Sequence, residues 1–317
     1  MSKIGFWSNQ MCERGTEIAL FDYAYYNQNI LDNKSYIFYD INNNNNNITV
    51  INKFKKHFIV FGVNSFEETD NILQNNNIKI IYIIKAGYND GIISKVSKNI
   101  IHCVFDCSHP HGDFYCSVSE WVPGNDGKYK VLPHMINLPD HNEDMREILQ
   151  IPEDSIIIGR HGGYDTFNLP IVQSLIYNIA KNNKNIYFVF VNTRRFCNIL
   201  PNIIHLDNII DLYEKRKFIN TCDAMIWGRD NGETFGLAIA EFSSCNKPVI
   251  ACKIGDLAHY HLLNDKGLWY SNLSELRYYI TNIKEIKNNR KDWNAYKDYT
   301  PEKVMKIFND ILKSLES

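Results

Sequence analysis

The 317-residue sequence lacks the features that mark several common functions. It has no excess of positive charge. Its 34 Lys and Arg against 36 Asp and Glu give a formal net charge of -2, so neither nucleic acid nor an anionic membrane is expected as the main partner. No run approaches the ~18 apolar residues of a membrane span. The first ten residues, MSKIGFWSNQ, lack a charged region followed by a signal-type apolar stretch, so a cytoplasmic protein is expected. The dinucleotide fingerprint G-x-G-x-x-G is also missing: Gly159-Arg160-His161-Gly162-Gly163 follows a strand-like run but has different spacing, which discounts a nicotinamide-cofactor reading. No Asp-x-Asp metal motif stands out. Cys103-x3-Cys107 followed by His109-x-His111 is tighter in its second pair than standard zinc modules, so no metal is expected. The eight cysteines lie mostly in apolar runs, as small buried hydrophobes of a reducing compartment do.

What is present is an ordinary folded composition, 44% hydrophobic and 22% charged. The length favours two domains of roughly 150 residues each. Strand-like runs at Lys3–Trp7, Tyr36–Ile41, Phe58–Val63, Lys79–Lys85, Ile100–Phe105 and Tyr115–Ser119 alternate with polar loops and helix-like segments such as Thr16–Asn27. Ser65 precedes Phe66-Glu67-Glu68, an N-cap signature. The run Asn42–Asn47 reads as a loop. Residues 123–143, rich in Pro, Gly and polar side chains, read as a linker. A second alternation follows, with strands at Ile156–Arg160, Tyr187–Val191 and Ile203–Leu206 and helices at Leu169–Lys181 and Leu212–Thr221. The pattern predicts an α/β protein of two Rossmann-like domains, 1–135 and 136–298, with a terminal helix over 299–317. That helix starts on Thr300-Pro301-Glu302 and carries Val304, Ile307, Phe308, Ile311, Leu312 and Leu315 on one face, so it must dock on its own domain or on the first.

The richest stretch is Gly228–Asp256. An apolar run, Ala224-Met225-Ile226-Trp227, ends in the polar turn Gly228-Arg229-Asp230-Asn231-Gly232. Then come Glu233, the small-residue segment Thr234-Phe235-Gly236, and an apolar run from Leu237 to Glu241. Strand, loop and helix in that order deliver a carboxylate and free backbone N–H groups to a helix N-terminus, where phosphates bind well. Placed on one helix, Glu233 and Glu241 would be about two turns apart on one side.

Here the chain resembles the retaining nucleotide-sugar glycosyltransferases of the GT-B fold, family 4 in particular. Their motif is Glu, seven residues, Glu, with Phe-Gly after the first Glu and a Pro-Val-Ile strand beyond the second. This chain has Glu233-Thr-Phe-Gly-Leu-Ala-Ile-Ala-Glu241 and Pro248-Val249-Ile250. The resemblance is close over about 155–270 and loose before it. It implies two domains facing across a cleft, with the C-terminal helix crossing back to the first domain.

The implied activity is transfer of a sugar from a nucleoside-diphosphate sugar to a hydroxyl acceptor by a hexosyl-type transferase. Retention is implied, with no divalent metal or other cofactor. Glu233 would lie by the donor sugar, with His102, at the end of a first-domain strand, beside it as the second catalytic residue. Glu241 would hold the ribose hydroxyls, a task that suits a carboxylate, which accepts two hydrogen bonds. Arg160 would neutralise the diphosphate. The Lys-Gly usual about six residues on is replaced by Thr166-Phe167, and Arg194, Arg195 or Arg229 would have to substitute. Gly15, Gly162, Asn192, Thr193, Arg229, Thr234, Phe235, Gly236 and Leu237 complete the implied donor site. Loops at Val191–Arg194 and His205–Asp207 would wall the base.

Arg14, His109, His111 and Asp113 are candidates for the acceptor side. The donor would be UDP-, GDP- or dTDP-linked and the acceptor a glycan, a lipid or a small molecule. A homodimer is compatible with this reading. Two other functions fit the same stretch: a nucleotide-sugar epimerase, and a non-catalytic sugar-nucleotide or glycan-binding protein. The incomplete Arg/Lys pair favours the latter.

Overall fold

The computed structural model describes residues 1–316. The chain separates into two compact units, Met1–Met135 with Asp298–Ser317, and Ile136–Lys297. The first contains β1 (Lys3–Ser8), α1 (Gly15–Asn29), β2 (Lys34–Asp40), α2 (Ile48–Lys55), β3 (Ile59–Val63), α3 (Phe66–Asn75), β4 (Ile80–Lys85), β5 (Lys98–Cys103), β6 (Phe114–Ser117) and β7 (Lys130–Val131). Every pairing is parallel, in the order β3-β2-β1-β4-β5-β6-β7. Parallel strands are covered on both faces and read as continuous apolar runs. In β4, Ile-Ile-Tyr-Ile-Ile-Lys, everything before Lys85 is buried. β7 lies inside the stretch read as linker. The asparagine run is a loop, and its last member, Asn47, caps α2 by accepting from the Thr49 amide at 2.8 Å. α2 itself was not foreseen. Ser65 sits at the N-cap of α3 without a capping side-chain bond.

The second unit repeats the plan: β8 (Ile156–Arg160), α4 (Pro170–Asn182), β9 (Ile186–Val191), β10 (Ile203–Leu206), α5 (Leu212–Thr221), β11 (Ala224–Ile226), β12 (Gly232–Glu233), α6 (Leu237–Ser244), β13 (Val249–Ala251), β14 (Asp256–Leu257), α7 (Ala258–Leu263), β15 (Gly267–Trp269), α8 (Leu273–Thr281) and α9 (Ile283–Asn289). Its six-stranded sheet is again all parallel, β10-β9-β8-β11-β13-β15, with β12 and β14 forming a separate two-stranded ribbon. The elements beyond β14 were not foreseen. α8 nevertheless carries a readable capping box: the Asn272 side chain accepts from the Glu275 amide, while Glu275 accepts from the Ser271 amide.

The last helix, α10 (Pro301–Glu316), packs in the first unit against α1. Val304, Met305, Phe308, Ile311 and Leu312 are buried along it, whereas Ile307 and Leu315 of the expected stripe are only half-buried. The Phe308 ring lies 5.3 Å from Tyr23, 5.6 Å from Tyr82 and 6.4 Å from Phe6. The same aromatic layer encloses two histidines. His102 Nδ1 is 2.6 Å from the Tyr82 hydroxyl, and its ring is 5.6 Å from that of His134.

Burial pushes the His134 pKa down to about 3. Burial, and then the neighbouring His134, holds His102 well below its ordinary value. Both bases fold neutral, so the unfolded chain takes up protons first as pH falls. Their contribution to stability is complete above their ordinary value of 6.5 and is lost as pH drops below it. The urea midpoint should therefore be flat near about pH 7 and fall toward about pH 5.5. His134→Gln should make that acid slope shallower by up to about 1.4 kcal/mol per pH unit. Equal slopes for the variant and the parent would refute the assignment.

Candidate functional site

β8 and β11 are paired neighbours at the centre of the second sheet, and the chain leaves them toward opposite sides. The loops after their carboxyl ends diverge, which opens the crevice where ligands bind in such sheets. Arg160 closes β8 and is 4% exposed. Its guanidinium donates to Thr193 Oγ1 at 2.5 Å, to the Gly163 carbonyl at 3.1 Å and to Thr166 Oγ1. It lies over the Phe167 ring, 5.7 Å from the centroid. Every one of these acceptors is neutral, and among the described residues no carboxylate lies within ion-pair distance of it. Burial lowers its pKa to about 10, against the pull of Glu233 and with a push from Arg229.

The loop after β11 carries the second set of groups. Trp227 Nε1 donates to Glu233 Oε1 at 3.1 Å, and Arg229 donates to Glu233 Oε2 at 3.2 Å. Each carboxylate oxygen is thus held by its own donor. The Trp227 ring stacks at 4.3 Å on buried His259. Glu233 is not on the helix: it lies in β12, paired with β14. Gly236, at φ 82°, is the N-cap from which α6 starts. The picture of two glutamates two turns apart on one helix is corrected accordingly. The β12–β14 crossing also dictates glycine at 232. With φ 71°, a Cβ there would lie 2.2 Å from the Asp256 backbone N and O.

Glu241 stands apart from Glu233 in its chemistry. Its Oε1 accepts from Lys215 Nζ of α5 at 2.8 Å, and its Oε2 is 3.0 Å from His161 Nε2. The His161 ring stacks on Phe242 at 5.7 Å and meets the edge of Phe218. The side chains of Lys215 and Glu241 are each 8% exposed. Burial alone would raise the Glu241 pKa, but Lys215 and His161 outweigh it and hold the group at about 2. Removing one partner of such a buried pair costs about 3–5 kcal/mol. Neither Lys215 nor His161 was singled out from sequence. The signal was a lysine at a position that α5 turns inward together with Phe218 and Ile219.

The other expected donor residues of this unit lie on the same loops. Asn192, at φ 48°, donates to the Gly162 carbonyl at 2.9 Å, and Thr193 is buried under Arg160. Thr234, Phe235 and Gly236 are buried, and Leu237 is half-buried at the start of α6. Of the candidate substitute cations, Arg194 is exposed and paired with Asp165 at 2.7 Å, and Arg195 is exposed. Arg229 alone bonds Glu233. A pocket of about 320 Å³ opens beside these loops, lined by Asp165, Phe167, Asn168, Gln173, Arg194 and Phe196.

In the first unit the expected residues do not come together. Arg14 is the N-cap of α1 without a side-chain capping bond, and Gly15 follows it; both are exposed. His102 is 0% exposed within the aromatic layer, so no sugar reaches it in this conformation. Its expected catalytic place beside the donor is corrected: a strand-end histidine points to one face or the other, and here it points inward. Asp113 accepts from the Asn99 amide at 2.8 Å and from Lys98, at the amino end of β5, where it braces the loop rather than facing a ligand crevice. His109 is exposed, and His111 packs on Tyr115 while its Nδ1 lies 2.7 Å from the His109 carbonyl. One buried acid there was missed: Glu17 in the first turn of α1, bonded by Cys12 and Thr16, with a pKa raised by burial. Among the described residues no cluster of three or more His, Cys, Asp or Glu could hold a metal ion.

No protein-family model matches the sequence, and no curated protein sequence matches it. Solved structures do. HepE from Anabaena, solved in complex with UDP-glucose, superposes with a TM-score of 0.77 at 14% identity over 99% of this chain and 100% of its own. A glycosyltransferase from Rickettsia africae gives 0.71 at 13% identity over 100% and 99%. Sucrose-phosphate synthase from Thermosynechococcus elongatus gives 0.71 at 12% over 99% of each. The likeness shows the fold: two Rossmann-like α/β units of the GT-B glycosyltransferase architecture.

Proposed function

We propose that the chain is a glycosyltransferase that moves a sugar from a nucleoside-diphosphate sugar to a hydroxyl of a glycan, lipid or small-molecule acceptor. The observation that carries this reading is Arg160, a buried guanidinium with only neutral acceptors at the ligand-binding end of β8. A buried charge with no acid bonded to it is costly, and a phosphate anion would supply a direct counter-charge. Arg229 and the start of α6 stand on the neighbouring loop, so a diphosphate would meet two guanidiniums and a helix N-terminus. Glu233, fixed by Trp227 and Arg229, is the carboxylate that would orient the sugar.

As the C1–O bond to the diphosphate breaks, the two arginines would stabilise the charge building on the leaving oxygen. The acceptor oxygen would bond C1 on the face being vacated, its proton passing to the departing phosphate. Retention, independence of metal and membership of family 4 rest on the Glu233–Glu241 motif. The UDP-glucose bound to HepE makes a UDP-sugar the first donor to try.

A thermal-shift screen tests the reading, because a ligand that binds the native state raises the midpoint. At least one of UDP, GDP, dTDP and ADP should raise it; no shift with any of the four would end the proposal. Arg229→Gln should weaken diphosphate binding by about 1.5–3 kcal/mol, roughly ten- to a hundredfold, with little change for the bare nucleoside. Equal losses for both would place Arg229 away from the phosphates. Glu233→Ala should abolish donor hydrolysis and transfer while nucleotide affinity is largely kept. Undiminished turnover in that variant would remove Glu233 from the sugar.

A further inference from the structure

His259 in α7 is fully buried, and both of its ring nitrogens face backbone carbonyls. Nδ1 lies 3.1 Å from the Asp256 oxygen and Nε2 3.0 Å from the Cys252 oxygen. A neutral imidazole carries one N–H and can donate to only one of them. Its other nitrogen then turns a lone pair toward a carbonyl oxygen, in an interior where an unmade hydrogen bond is costly. The doubly protonated ring satisfies both. What opposes the second proton is burial, which holds the pKa below its ordinary value of 6.5. The charged groups around the ring divide. The two carbonyls and Glu233 of β12 favour the proton, whereas His261 on the same helix disfavours it. The Asp256 carboxyl of β14 also feels the ring. Arg229 offsets part of the Glu233 charge, and Lys253 lies over the neighbouring Tyr260. Trp269 of β15, with its ring 5.9 Å away, brings no charge. The balance leaves the ring neutral at pH 7 in the free protein.

An anionic ligand on the neighbouring loop tips that balance, because added negative charge favours the charged form of a histidine and the second N–H already has its acceptor in place. We propose that His259 takes up a proton from solvent when a nucleoside-diphosphate sugar binds, and that the resulting imidazolium is a positioning group for Glu233. The link is Trp227. Its ring stacks on His259 at 4.3 Å, and its Nε1 donates to Glu233 Oε1 at 3.1 Å. A cation against the indole face is favourable, and it polarises the indole N–H toward the carboxylate. His259 itself touches no ligand. This inference rests on the nucleotide-binding reading above.

Titration calorimetry of the full chain with UDP-, GDP- and dTDP-glucose at about pH 6.5, in buffers of low and high ionisation enthalpy, tests it. The diphosphates of these ligands are esterified at both ends and do not titrate near neutrality, so a buffer-dependent heat counts protons taken up by the protein. For whichever ligand binds, uptake should be roughly 0.3 to 1 proton per site, and affinity should weaken as the pH is raised to about 8. His259→Gln, or His259→Asn should the first fail to fold, should bring uptake close to zero while binding persists. Heats independent of buffer, or equal uptake in the variant, would overturn the inference and leave the nucleotide reading standing. No binding by any of the three ligands would remove both. The same proton is visible in the parent protein labelled with nitrogen-15 histidine. The ring in contact with the Trp227 indole should gain a second N–H when the ligand is added, and an unchanged ring would also overturn the inference.

Discussion

Two parallel strands that send the chain to opposite sides, β8 and β11, are the constraint on which the rest of the second unit depends. Because neighbouring connections diverge there, the loops at 160–169 and 227–236 border the space beyond the strand ends where ligands bind in such sheets. What they carry is charge. Arg160 comes from the end of one strand, and Trp227, Arg229 and Glu233 from just beyond the other. The β12–β14 ribbon holds the second loop in place, and it forms only because Gly232 leaves room for the Asp256 backbone. A carboxylate in a two-residue strand, anchored at both oxygens, is more rigid than one at the tip of a free loop, and rigidity is what preorganised electrostatic stabilisation requires.

The buried charges of this unit divide into two kinds. Lys215 and Glu241 neutralise one another, with His161 Nε2 3.0 Å from the acid, so this pair is complete in charge. Arg160 is bonded to hydroxyls and a carbonyl but to no acid, and feels Glu233 only at a distance. Complete groups stabilise a fold, whereas incomplete ones point to what is missing. That asymmetry, rather than the presence of charged residues as such, is why the proposed anion site is placed at Arg160 rather than at the equally buried Lys215.

The sheets were largely legible, because parallel strands covered on both faces must be continuously apolar. Ile80–Lys85 and Ile156–Arg160 could hardly be read otherwise. The elements between Asp256 and the terminal helix were not, since β15 has only three residues and α7 six, too short for a period to show. Arg160 was singled out through the family resemblance, and Glu233 through the turn that delivers it toward a helix start together with that resemblance. Which way a side chain points was not legible. His102 was placed beside a sugar from its position at the end of β5, but facing inward it lies among Tyr23, Tyr82 and His134, a layer assembled from α1, β4 and the segment after β7. Asp113 was placed in a loop correctly, yet that loop runs back to the amino end of its strand before Asp113 is reached.

The two glutamates show why a motif's letters underdetermine its chemistry. Their spacing suggested one helix face. In the fold a left-handed glycine, Gly236, separates them, placing Glu233 on a strand beside Arg229 and Glu241 within α6. What then holds Glu241 in place is Lys215, a residue on another helix and outside the motif altogether. A carboxylate beside a buried ammonium is held there by charge, because leaving the ammonium unpaired is costly. The setting of the second glutamate is therefore fixed by a partner that the spacing of the motif does not contain.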